Sequence, residues 1–65
     1  MKNRVREFRK NQKLTQEELA ELIGISRQAI NAIEKEKFDP SLPTAFKMAK
    51  LLKTSIEKLF LHDEK

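Results

Sequence analysis

Arg27, Gln28 and Asn31 are the side chains in this sequence whose types and spacing match a definite chemistry. A guanidinium can donate to guanine, and the carboxamides of Gln and Asn can pair with adenine, all from the major groove of DNA. On a helix they share one outward face, which Lys35 extends, and no acid interrupts them. Lys35, and Lys37 just beyond, are amines suited to phosphates, contacts that fix register rather than sequence. The plain alternative is a solvated polar face, the usual fate of such residues, and only the elements around them separate the two readings. Catalysis has no comparable foothold. The sequence offers no Ser-His-Asp set, no phosphate-cradling glycine loop and no carboxylates clustered from a pocket, so neither a catalytic residue nor a cofactor is expected. With no cysteine and the single His62 in a charged tail, no metal site is expected either.

The stretch Thr15–Ile33 supplies the elements that hold these residues. Thr15 and Glu18 form a capping box, in which the hydroxyl accepts from the Glu18 N–H and the carboxylate accepts from the Thr15 N–H. A helix therefore starts at Gln16, turns Leu19, Ala20, Leu22 and Ile23 to one side, and ends where Gly24 takes positive φ. Ile25 buries the turn. Ser26 caps a second helix with Ala29, Ile30 and Ile33 inward and Arg27, Gln28, Asn31 and Lys35 outward. Two short helices joined through a glycine, with a hydrophobic residue before a Ser cap, form the pattern of a helix-turn-helix, whose second helix enters the major groove.

The run TQEELAELIGISRQAINAIEKEK resembles the helix-turn-helix of the Cro/C1-type phage repressor family, also called the xenobiotic-response-element family. RVREFRKNQKLTQ is similar to that family's first helix, and DPSLPTAFKMAKLLKTSIEKLF to its fourth and fifth. The resemblance spans nearly the whole chain, is nearest to small stand-alone repressors, and implies an all-α, five-helix, lambda-repressor-like DNA-binding domain. It implies that Arg9 pairs with Glu34 and locks helix 1 to helix 3. Read without the family, the two are independent surface charges worth about 0–1 kcal/mol if exposed. Gln16, which opens the first helix of the motif, is expected with Lys35 and Lys37 to meet DNA phosphates. Glu36 and Lys53 stand where many relatives carry glycine, and each would lose roughly 1 kcal/mol relative to Gly if it keeps a left-handed conformation.

Helices are expected at about 2–11, 16–23, 27–35, 42–52 and 56–61 of a single domain, residues 1–65. In the first, Val5 and Phe8 face inward and Arg4, Arg6 and Lys10 outward. In the fourth, capped by Ser41 with Pro43 in its first turn, Leu42, Ala45, Phe46, Ala49 and Leu52 form the apolar face and Met48 its border. Phe38 reads either as a loop aromatic covering the core edge or as an exposed contact. Ser55 caps the last helix, whose Ile56, Leu59, Phe60 and Leu61 exceed what so small an element buries against one domain. A homodimer contact is the expected outlet, and completion of the protomer core the alternative.

A chain of 65 residues has room for one domain and one function. Fourteen Lys and Arg against ten Asp and Glu give a net charge of +4, which favours a polyanionic partner. No apolar run reaches membrane-spanning length, no signal-peptide core follows Met1, and a cytoplasmic location is expected. The expected function is a transcriptional regulator, in the first instance a repressor, that binds double-stranded DNA at a palindromic operator as a homodimer. An antitoxin-like subunit that holds a partner protein is the alternative, against which stands the short tail after helix 5. RNA binding is disfavoured because the chain has no Tyr or Trp and Phe8 and Phe46 are assigned to core stripes.

Overall fold

The computed structural model describes residues 1–61, so His62 lies outside the described residues. Five helices follow in order: α1 Val5–Asn11, α2 Gln16–Ile23, α3 Arg27–Glu34, α4 Leu42–Leu51 and α5 Ile56–Leu59. Four begin at a hydroxyl. Thr15, Ser26, Ser41 and Ser55 each accept from the N–H three residues on, and at Thr15 the Glu18 carboxylate completes the capping box by accepting from the Thr15 N–H at 2.8 Å. The exception is α1. It starts at Val5 rather than near residue 2 because Lys2 and Arg4 are held by backbone bonds to Leu61 and Leu59, while Asn3 Oδ1 accepts from Val5 N at 3.1 Å.

The first four helices end alike. Lys13, Gly24, Glu36 and Lys53 have φ of 60°, 90°, 63° and 59°. The residue after each donates its N–H to the carbonyl five residues back: Leu14 to Arg9, Ile25 to Ala20, Lys37 to Ala32 and Thr54 to Ala49, at 2.9–3.1 Å. The hydrogen bond recovers carbonyls that a helix end leaves unpaired, which holds three non-glycine residues in the left-handed region at roughly 1 kcal/mol each.

The core gathers Val5, Leu19, Ile30, Ile33, Met48, Leu52 and Leu59, all fully buried, with Ala20, Ile23, Ala45, Ala49 and Phe60 around them. Each large side chain so buried contributes roughly 1.5–3 kcal/mol. α2 packs on α3, α4 on α2, and α5 on α4. Three aromatic or aliphatic assignments are corrected. Leu22, Leu42 and Phe46 are 55%, 63% and 55% exposed. On α4 the buried face is Ala45, Met48, Ala49 and Leu52, one position around from the expected stripe, so Met48 moves to the centre and Phe46 to the outside. Phe38 is also exposed rather than closing the core.

α5 is a single turn and not the longer helix expected. After Leu59 the chain extends, Phe60 pairs with Asn3 as an antiparallel bridge, Arg4 N donates to Leu59 O and Leu61 N donates to Lys2 O, both at 2.8 Å. The two ends of the described chain are thereby stitched together.

Candidate nucleic-acid interface

The Ser26 cap and the Gly24 turn set where α3 emerges. Ser26 Oγ accepts from Ala29 N at 3.0 Å, and Ile30 and Ile33 anchor the helix in the core, which leaves Arg27 and Gln28 exposed in its first turn. No acid stands in that turn, so the N-terminal end of the helix dipole adds to an electropositive surface. Arg27, Gln28, Asn31 and Gln16 line one open cleft of about 340 Å³. All three expected base-reading residues therefore share one surface, with Asn31 half-buried at its base.

Behind that cleft lies a polar network. Arg9 Nε donates to Glu34 Oε2 at 2.6 Å, Nη2 donates to Glu34 Oε1 at 3.3 Å, and Nη1 donates to Leu14 O at 2.7 Å. The two side chains are 10% and 5% exposed, so the pair is a buried, two-pronged ion pair joining α1 to α3. Burial changes its weight, because removing either partner of such a pair leaves an uncompensated charge and costs about 3–5 kcal/mol. Gln16 Nε2 donates to Glu34 Oε1 at 3.0 Å, and Asn31 Nδ2 donates to Gln16 Oε1 at 3.5 Å. The Glu34 carboxylate beside the cleft is thus withdrawn and neutralised by its neighbours.

A second polar cleft of about 320 Å³ adjoins the first, lined by Arg6, Arg9, Gln16, Asn31, Glu34 and Lys35. Arg9 is occupied with Glu34 and Leu14, so the cations there without an ion-pair partner among the described residues are Arg6 and Lys35. The sequence reading gave Arg6 only as an outward charge and did not place it in this lining. Its position three residues before Arg9, on the same side of α1, is the signal that could have found it. Lys37 is exposed but lines neither cleft. No group of residues that could hold a metal ion occurs among the described residues.

The expected dimer residues separate into two kinds. Ile56 and Leu61 are half-buried and line an apolar groove of about 640 Å³ together with Met1, Pro40, Leu42 and Phe60. Leu59, at 0% exposure, is a core residue, and Phe60, at 8%, forms only the groove's floor. The assignment of those two as surplus surface is corrected: the early end of α5 and the bridge to Asn3 turn Phe60 inward. Leu42, which the sequence reading placed in the core, stands at the rim in their stead.

The comparisons with known proteins agree with the helical architecture. The family model described as Helix-turn-helix matches residues 5–59. An uncharacterized HTH-type transcriptional regulator of Methanocaldococcus jannaschii is 50% identical over 64 residues, covering 98% of this chain and 97% of that protein. The control protein C.SmaI of Serratia marcescens is 40% identical over 55 residues, 85% of this chain and 66% of its own. Among solved structures, the restriction-modification controller protein C.AhdI from Aeromonas hydrophila superposes with a TM-score of 0.79 at 35% identity, covering 88% of this chain and 86% of that one. The N-terminal DNA binding domain of SinR from Bacillus subtilis superposes with a TM-score of 0.77 at 30% identity, covering 95% and 88%.

Proposed function

This chain belongs to the Cro/C1-type helix-turn-helix family of DNA-binding transcriptional regulators, which are not enzymes, and we propose that within it the protein is a repressor binding a palindromic operator as a homodimer. The observation that carries the reading is the cleft in which Arg27, Gln28 and Asn31 converge beside Gln16, with Glu34, the acid beside it, already paired. α3 enters the major groove, Arg27 meets guanine, and Gln28 and Asn31 meet adenine. Gln16, Lys35 and Lys37 contact phosphates, and Arg6 joins them from α1. No helix among the described residues is long and apolar enough to cross a membrane, and a regulator of this kind acts in the cytoplasm on DNA.

The apolar groove is the place for the second copy. A two-fold axis beside Leu42, Ile56 and Leu61 makes the contact self-complementary and turns both α3 helices toward one face of the duplex. An operator read this way carries inverted half-sites, and occupying it blocks transcription by exclusion.

Two substitutions test the assignment of roles. Gln28→Ala is expected to relax base choice at one position per half-site. Lys35→Ala is expected to weaken all sequences alike and to flatten the salt dependence of log K by about one unit, the share of a single neutralised phosphate. If Gln28→Ala left both affinity and sequence preference intact, the reading face would lie elsewhere.

A further inference from the structure

The polar network contains a chain of hydrogen bonds whose direction is set at one end by a carboxylate. A carboxylate paired with a guanidinium offers only acceptors, so Gln16 has to turn Nε2 toward Glu34, where it donates at 3.0 Å to Oε1. Gln16 Oε1 is left at the other end of the carboxamide and accepts from Asn31 Nδ2 at 3.5 Å. Because that oxygen cannot donate, it favours Asn31 with Nδ2 on this side and Oδ1 on the other, across a long contact of 3.5 Å. The two ends of a carboxamide are nearly identical in shape, and only their neighbours decide which is which. Here the decision passes from a buried ion pair, through one glutamine, to a residue at the base of the reading cleft.

We propose that Gln16 is a positioning residue for sequence reading: held by the Arg9–Glu34 pair, it fixes which way round Asn31 presents its donor and acceptor to a DNA base. The proposal rests on the reading of Asn31 as a base contact. Adenine offers an acceptor at N7 and a donor at N6, so a carboxamide pairs with both in only one order. Asn31 keeps one Nδ2 hydrogen and Oδ1 for that purpose. The reversed carboxamide would set donor against donor and acceptor against acceptor. Gln16 thus does more than touch a phosphate, and it acts on specificity without itself meeting a base.

The test measures binding of wild type, Asn31→Ala, Gln28→Ala and Gln16→Met to duplexes in which every half-site position is replaced in turn by each base. Met keeps the length and apolar stem of Gln and removes its hydrogen bonds. Asn31→Ala marks the position where preference for adenine is lost. Gln16→Met is expected to flatten preference at that same position, from about ten-fold to about two-fold, while preference at the Gln28 position stays. Circular dichroism melting of each variant reads the fold separately, and Gln16→Ala gives the same comparison if Met disturbs the helix start. A Gln16→Met protein that bound every duplex more weakly by one common factor, with the Asn31 position still discriminating, would make Gln16 a phosphate contact only and overturn the proposal. An Asn31→Ala protein with unchanged preferences everywhere would end the base reading and the proposal with it, a failure visible in that variant by itself.

Discussion

Among the described residues every buried side-chain nitrogen and oxygen has a partner, and on the α3 side a polar cleft is already assembled around Arg27, Gln28, Asn31 and Gln16. On the α4 and α5 side, Leu42 is 63% exposed and Ile56 and Leu61 line an apolar groove. The first, a polar surface assembled in this way, suits a rigid, charged ligand, because preorganisation saves the ordering cost of binding. The second gains by being covered, since apolar surface contributes only when water leaves it. One domain thus carries a finished polar surface, proposed to meet DNA, and an unfinished apolar one, proposed to meet a second copy, and the two are separable by substitution.

The largest effect should come from the unfinished side. Leu61→Glu or Leu42→Glu places a carboxylate in the apolar groove and should give folded monomers, because both residues lie outside the fully buried core. Operator affinity should fall by about 10²–10⁴, the benefit that linking two binding units confers. Sedimentation and circular dichroism together read the result. A variant that stayed dimeric would move the interface to another face, and one that unfolded would erase the distinction between groove and core.

Glu34→Ala strikes the finished side from beneath. It strands the Arg9 guanidinium and should lower stability by about 3–5 kcal/mol, most of which the double change Arg9→Met with Glu34→Leu should restore. Urea denaturation of the single and double variants measures both. Equal losses in the two would show that packing, and not the orphaned charge, dominates at this site.

Gln28→Ala should be smaller and confined to DNA, about 1–3 kcal/mol at the preferred site with no change in the unfolding midpoint. Titration of preferred and base-substituted duplexes separates it from a phosphate contact. The smallest expected effect belongs to the helix ends. Lys53→Gly, at φ 59°, should stabilise by up to about 1 kcal/mol, reduced by the looser unfolded chain that glycine brings. A midpoint that fell instead would mean that the loss of chain order outweighs the relief at that turn.

What was legible in the sequence follows a physical divide. The caps at Thr15, Ser26, Ser41 and Ser55 depend on a hydroxyl and an N–H three residues away, a local relation that spacing reveals. The outward set Arg27, Gln28 and Asn31 was visible for the same reason. The burial of Phe46 was misread because two faces of α4 share Ala45, Ala49 and Leu52, and only contact with the rest of the protein chooses between Phe46 and Met48 as the fourth member. The fate of Phe60 was hidden because it depends on Asn3, at the other end of the described chain. Lys13 escaped notice as a left-handed residue, since a lysine after a helix carries no such mark, whereas Glu36 and Lys53 were flagged by resemblance to relatives with glycine there. The link from Glu34 through Gln16 to Asn31 was illegible, because it joins two different helices through the orientation of amide groups.

The central claim, that α3 reads double-stranded DNA in a two-fold arrangement, is tested most directly by selecting bound sequences from a random duplex pool with the wild-type protein. The expected product is one enriched inverted repeat whose half-site centres lie about one helical turn, roughly 34 Å, apart, and whose enrichment is lost when about five base pairs are inserted between them. A pool that returned no common sequence after repeated rounds, with binding that tracked only salt, would contradict it.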